Sequence, residues 1–391
     1  MKSSEWKVVK LEDVCYFGND KIETKMISLE DYISTENMLP NKGGISIASS
    51  LPSTKVVRMY EKNDVLISNI RPYFKKIWFA RKIGGASNDV LILKGRNKKI
   101  LDNKFMYYYL SQDGFFSYVT ATAKGTKMPR GDKTAIMNYK INLPTIQEQE
   151  NIVRILTSLD KKIEINNEIN KKLEEMAQAI FKHWFVDFEF PNENGEPYKS
   201  SGGEMVESEL GMIPKGWNIG VLDELIEISS GKRPSIKAQV INEELSIPLV
   251  GASSIMGYTN EFNYNEPVLV IGRVGTHGIV QRFNTKIWAS DNTLVIKSKY
   301  YEYVNQILNI IDYKALNRGS TQPLITQSDI KNYKIIIPDR DYLLKYEELV
   351  GSLFLKYEKN YVENENLKTI RDTLLPKLMS GEIRVPVEEE K

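Results

Sequence analysis

Cysteine occurs once in the 391 residues, as Cys15, and histidine twice, as His183 and His277. A single cysteine allows no intrachain disulfide and no CxxC metal site, which points to the reducing cytoplasm. Two isolated histidines cannot supply a Ser/His/Asp triad or a histidine metal cluster, and His183, among the aromatics of FKHWF, reads as structural. Long apolar runs are also missing. The longest are strand-sized, such as VLVIG at 268–272, far short of a membrane span. The N-terminal MKSSEWKVVK has no apolar core of the kind a secretory signal needs.

Catalytic motifs are equally scarce. GRVGTHG (272–278) is followed by neither GK[ST] nor a helix pattern, and GDKT (131–134) lacks the spacing of a phosphate loop. No NPPY/F tetrapeptide of an adenine methyltransferase occurs. The acidic PDRDYLLKYEE (338–348) falls at a helix start, where aspartate acts as a cap. The chain therefore reads as a non-catalyst that binds no cofactor or metal of its own.

Positive charge is present but segregated. Residues 1–143 hold 24 Lys/Arg against 14 Asp/Glu, a net +10, and residues 144–216 hold 8 against 14, a net −6. Residues 217–337 carry +1 and residues 338–391 carry −3. Such segregation fits a DNA-facing surface at one place and a non-DNA surface at another.

The chain is written twice. At an offset of 194, KGTKMPRGDKTAIMNYKINLP (124–144) lies on RGSTQPLITQSDIKNYKIIIP (318–338) without a gap. Gly125/Gly319, Pro129/Pro323, Ile136/Ile330, Asn138/Asn332, Tyr139/Tyr333, Lys140/Lys334, Ile141/Ile335 and Pro144/Pro338 are identical. The fronts repeat at other offsets: EWKVVKLEDV (5–14) on GWNIGVLDEL (216–225), and ASNDVLILK (86–94) on ASDNTLVIK (289–297). Changing offsets indicate loop insertions inside a shared domain.

After each repeated Pro a long helix is expected. Thr145 and Glu148 form a capping box, and Asp339 is the corresponding cap. The first helix carries an a/d seam of Ile152, Leu156, Leu159, Ile163, Asn166, Asn170, Leu173, Ala177 and Ile180. The second seam reads Tyr346, Val350, Leu353, Tyr357, Asn360, Asn364, Leu367, Arg371 and Leu374. Both asparagine layers recur at the 194 offset. Antiparallel pairing sets a against d′ and so brings Asn166 to Asn364 and Asn170 to Asn360; parallel pairing would set a on a′. Antiparallel pairing is favoured, with the four asparagines as a register lock. A slip of one heptad would move a recognition domain about 10 Å along the helices.

The expected fold is α+β: two pseudo-symmetric globular domains joined by two long antiparallel coiled-coil helices. The boundaries are domain 1 at 1–143, a central helix at 144–190, a linker at 191–215, domain 2 at 216–337, a C-terminal helix at 338–380 and a tail at 381–391. Candidate DNA contacts are the exposed-type cations and polar groups of the variable interiors. In the first half these are Arg71, Lys75, Lys76, Lys124, Lys127, Arg130 and Lys133; in the second, Lys232, Arg233, Arg273, His277, Arg318, Thr321 and Gln322. Arg81 and Lys82 add to the first set of charges.

This order of elements resembles the specificity (S) subunit of type I restriction–modification systems. The residues that carry the resemblance are 141–189 (INLPTIQEQENIVRILTSLDKKIEINNEINKKLEEMAQAIFKHWFVDFE), 195–217 (GEPYKSSGGEMVESELGMIPKGW) and 374–385 (LLPKLMSGEIRV). The resemblance implies two target-recognition domains, each reading one half of a split site on double-stranded DNA in successive major grooves. It further implies helices that set the gap and dock two methyltransferase (M) subunits, with two restriction/translocase (R) subunits able to join. S-adenosylmethionine, ATP and Mg²⁺ then belong to the partners. One departure is that the second helix lacks the Glu-Gln of the first, which puts equal docking at the two ends in doubt. Two other readings share the charge pattern and helices: a non-catalytic coiled-coil adaptor that binds proteins, and a DNA-modifying enzyme acting alone.

Overall fold

The structure is a computed structural model and describes residues 6–275, 278–316 and 324–386. The chain divides into two compact units, Met1–Asn166 with Val362–Lys391, and Asn167–Tyr361. Among the described residues, no helix is long and apolar enough to cross a membrane.

The first unit closes on its own ends. Lys7–Lys10 pairs antiparallel with Lys140–Leu143, Lys7 opposite Leu143, so the domain's first strand is fastened to the strand that leads into the long helix. Inside lie two sheets. One is ordered Cys15–Phe17, Val90–Gly95, Val65–Ser68, Ile77–Phe79, all antiparallel. The other is ordered Lys21–Glu23, Val56–Tyr60, Gly84–Ala86, Tyr32–Ile33, and ends in a parallel pair. The central strands VLIS and VLILKG are almost continuously buried, which explains why they read as apolar runs rather than as alternations. The helix Asn103–Leu110 packs Phe105, Met106 and Leu110 into this core.

The second unit repeats the plan. Asn218–Val221 pairs with Lys334–Ile337, Asn218 opposite Ile337, the same register at the offsets seen in the sequence. Its main sheet runs Glu227–Ser230, Thr293–Lys297, Val268–Gly272, Val280–Phe283, and its smaller sheet runs Ile255–Thr259, Ile247–Val250, Trp288–Ala289, again with one parallel pair. The stretch 191–214 is folded: Met205–Ser208 and Gly211–Pro214 form a hairpin, and Phe190 stacks on both Tyr198 and Trp217.

The long helices span Ile146–Phe181, ending in a π turn at Lys182–Val186, and Arg340–Ser380, which continues through Pro376. All nine seam residues of the first helix are buried or half-buried. The first unit holds the pair Asn166–Asn364, with Asn166 Nδ2 donating to Asn364 Oδ1 at 2.9 Å. The second unit holds Asn170–Asn360, with Asn360 Nδ2 donating to Asn170 Oδ1 at 2.8 Å. In both layers the d-position asparagine donates to the a-position one. Within each unit the helical segments run antiparallel, as the further contacts Asp160–Arg371 and Ala177–Tyr346 require.

The Thr145–Glu148 capping box forms, each backbone N–H meeting the other's side chain at 3.3 Å. Glu148 is also bound by Arg384 and by the Trp6 indole, while Gln149, fully buried, joins Asp102 N–H to the carbonyls of Ile100 and Pro144. The Glu-Gln pair thus fastens the helix to its own domain, with both side chains buried. In the second unit Glu347 does the fastening, accepting the backbone N–H groups of Glu302 and Tyr303 at 2.9 and 2.8 Å.

Candidate nucleic-acid interface

In the first domain, sequence-distant basic loops meet at the end of the main sheet. The Gly-led loop is pinched shut by Lys124 and Arg130, whose backbones exchange hydrogen bonds at 2.8 and 2.9 Å. Ile70 bridges Arg130, and Arg71 N–H donates to Pro129 O at 2.8 Å. A third loop, absent from the sequence candidates, joins them: Asn41 N–H donates to Phe74 O and Lys42 N–H to Lys75 O. Arg71, Lys75, Lys76, Lys124, Lys127 and Arg130 therefore share one surface. Lys133 follows at the start of a short helix capped by Asp132.

The backbone here is strained. Asn41, Lys42, Arg71 and Lys75 all have φ between 49° and 63°, four of the six described non-glycine residues with positive φ. A left-handed residue with a Cβ costs about 1–2 kcal/mol, and such strain collects where side chains must be aimed. Arg71 and Lys75 bracket a tight turn, Pro72–Phe74, that leaves Tyr73 and Phe74 largely exposed with ring centroids 4.7 Å apart. The sequence signal for Tyr73 and Phe74 is RPYFKK, a proline turn with two aromatics between cations; Lys42 carries no such signal, because its loop joins the site only through backbone bonds to a turn distant in sequence.

The cations differ in how free they are. Lys75 and Lys42 share Asp113, at 3.0 and 3.2 Å; burial works against that carboxylate, but the two ammonium groups hold it below the usual range. Lys124 holds Asp132 at 2.5 Å and Arg130 holds Asp89 at 3.1 Å. Lys76 donates to Thr35 O at 2.6 Å, and burial lowers its pKa. Arg71, Lys127 and Lys133 are exposed and form no ion pair among the described residues. Exposed pairs such as Lys124–Asp132 are worth about 0–1 kcal/mol, so a phosphate can displace the carboxylate readily.

In the second domain Arg273 N–H donates to Asn292 O and Lys232 N–H to Ala289 O, so both flank the turn 289–292, with Trp288 Nε1 donating to Lys232 O at 2.7 Å. Arg233 stands exposed beside them. Lys232, Arg233 and Arg273 form no ion pair among the described residues. His277, Arg318, Thr321 and Gln322 lie outside the described residues. The framework is nevertheless shared: Asn69 O accepts Gly131 N–H at 3.0 Å in one half, and Arg273 O accepts Ile325 N–H at 3.0 Å in the other. Among the described residues no cluster of His, Cys, Asp and Glu could hold a metal. Cys15 is buried, which pushes its thiol up to about 12 and leaves it unreactive.

Each half thus presents cations and aromatic side chains on a shared frame with different side chains, chemistry suited to phosphates and base edges. Two stretches, 3–175 and 214–341, match the family described as type I restriction modification DNA specificity domain. The chain is 26% identical over 426 aligned positions to the type I restriction enzyme MjaIX specificity subunit of Methanocaldococcus jannaschii, covering 97% of this chain and 94% of that one. It is 25% identical over 462 positions to the HindI specificity subunit of Haemophilus influenzae, covering 97% and 100%. The crystal structure of a type I restriction–modification S subunit from M. genitalium shares the fold, with a TM-score of 0.61 at 16% identity and 97% of each chain covered.

Proposed function

The chain belongs to the type I restriction–modification DNA specificity family, and from that premise we propose how it works. It is a non-catalytic subunit acting in the cytoplasm, and each domain reads one half of a split, asymmetric site on double-stranded DNA. The helices set the gap between half-sites and dock two methyltransferase subunits, to which two restriction/translocase subunits can add. S-adenosylmethionine, ATP and Mg²⁺ are held by those partners.

One observation carries this reading. One backbone bond and one β-bridge recur at the sheet end, Gly131 N–H to Asn69 O with Ile70 against Arg130 in one half and Ile325 N–H to Arg273 O with Val274 against Leu324 in the other, while the residues displayed around them differ: Arg71, Tyr73 and Lys127 in one, Lys232, Arg233 and Arg273 in the other. Equal frames with unequal side chains suit two readers of dissimilar half-sites better than an adaptor gripping a protein. The exposed cations release counterions from phosphates and supply affinity, while groups at fixed backbone positions supply discrimination. The test is co-expression with a type I methyltransferase subunit from the same host, followed by purification and binding to genomic duplex fragments. A stable complex that retains fragments sharing a bipartite motif supports the reading. A complex that forms but retains fragments without any common motif contradicts it.

A further inference from the structure

The turn after Val65–Ser68 and the turn after Val268–Gly272 share one backbone frame, which makes each the control for the other. Ile70 bridges Arg130 in the first, and Val274 bridges Leu324, the residue 194 positions on, in the second. The residue after the bridge is Arg71 in one half and Gly275 in the other. Both are left-handed, with φ of 49° and 84°. A Cβ at Gly275 would meet nothing within 4 Å, so only the backbone angle calls for glycine there. Glycine adopts that angle freely and arginine does not.

The first half therefore keeps a strained arginine where its own counterpart has the relaxed residue. Nothing inside the fold accounts for the side chain. Its guanidinium makes no hydrogen bond or ion pair among the described residues, and it is exposed. Its backbone bonds, N–H to Pro129 O at 2.8 Å and O from Phe74 N–H at 3.0 Å, are ones a glycine could make. Those bonds and the buried Pro72 do fix where the side chain starts. A fixed origin matters little to a phosphate, which accepts a cation from many directions. It matters greatly to a planar fork that must lie in the plane of a base edge.

Resting on the DNA-recognition reading above, we propose that Arg71 is a specificity-determining residue of the first domain. Its guanidinium donates two N–H groups to the O6 and N7 acceptors of one guanine in the major groove. The first half-site then contains a guanine at a fixed position, and the second domain has glycine, Gly275, at the corresponding place.

The test uses the assembled complex with its methyltransferase subunits and selection from a randomised duplex library. Arg71→Gly copies the second half, so it should unfold at the same temperature as the parent or higher. It should lose the preference for one G·C pair in the first half-site, a discrimination of roughly 10- to 100-fold, with every other position retained. Arg71→Lys keeps the charge, lacks the fork and should lose most of the same preference. Lys127→Ala should weaken binding to all sequences alike. Uniform weakening by both Arg71 variants with an unchanged motif would make Arg71 a phosphate contact and overturn the proposal. So would an unchanged affinity and motif, or a lowered unfolding temperature for Arg71→Gly. If the parent complex selects no split site, the recognition reading itself fails, a result distinct from these.

Discussion

Single residues decide how firmly each domain is held to its helix. Glu347 is half-buried beside Glu302 and Arg282, and accepts two backbone N–H groups at the start of the helix Tyr301–Ile310. Burial, against the pull of those N–H groups, raises its pKa from 4.5 to about 7. Between these values the folded state binds more protons than the unfolded one, so stability is full below about 4.5 and declines as pH rises through about 7. The loss is on the order of 3 kcal/mol. Thermal unfolding from pH 5 to 8 should show this decline in the parent, and Glu347→Gln should flatten it; equal slopes would contradict it. The Thr145–Glu148 cap was legible in the sequence because both partners lie within one turn. Gln149 and Glu347 were not, because their partners at Asp102 and Glu302 are dozens of residues away. The pairing of Lys75 with Asp113 and of Arg130 with Asp89 was hidden for the same reason, so residue type alone overstated the number of free cations.

At the scale of elements, the seam was legible because its 3.5-residue period and its asparagines repeat 194 positions on. Asn166–Asn364 and Asn170–Asn360 form hydrogen-bonded layers, and Asn166 Oδ1 is left buried without a partner among the described residues. A buried asparagine pair sacrifices stability for a single register, since slipping it would set polar groups against leucines. Replacing all four with leucine should raise the melting temperature and broaden the half-site spacings the complex accepts. Calorimetry with binding to duplexes of stepped spacer length checks both; an unchanged spacing preference would rule out the register role. The hairpin 205–214 was the least legible element. Its glycines and acidic residues read as a linker, but Ile213 is buried and Met205 and Val206 pack against the same cluster as Phe190 and Trp217, which makes it part of a core.

For the whole molecule, the near-neutral total of +2 conceals two different recognition domains, +10 and +1. Phosphate contacts release counterions, each adding about 0.9 to the slope of log K against log salt. Neutralising Lys124, Lys127 and Lys133 together should therefore flatten the salt dependence of the complex more than neutralising Lys232, Arg233 and Arg273. A larger effect from the second set would reverse the assignment. Two frames with different side chains also imply that the sites they read are unlike each other and are read together. Sequencing methylated adenines genome-wide, in the host and in a strain deleted for this gene, tests that most directly. The expected result is one bipartite motif with dissimilar halves and a fixed gap, lost on deletion and restored by complementation. A motif that survives the deletion, or one that is contiguous or palindromic, would contradict it.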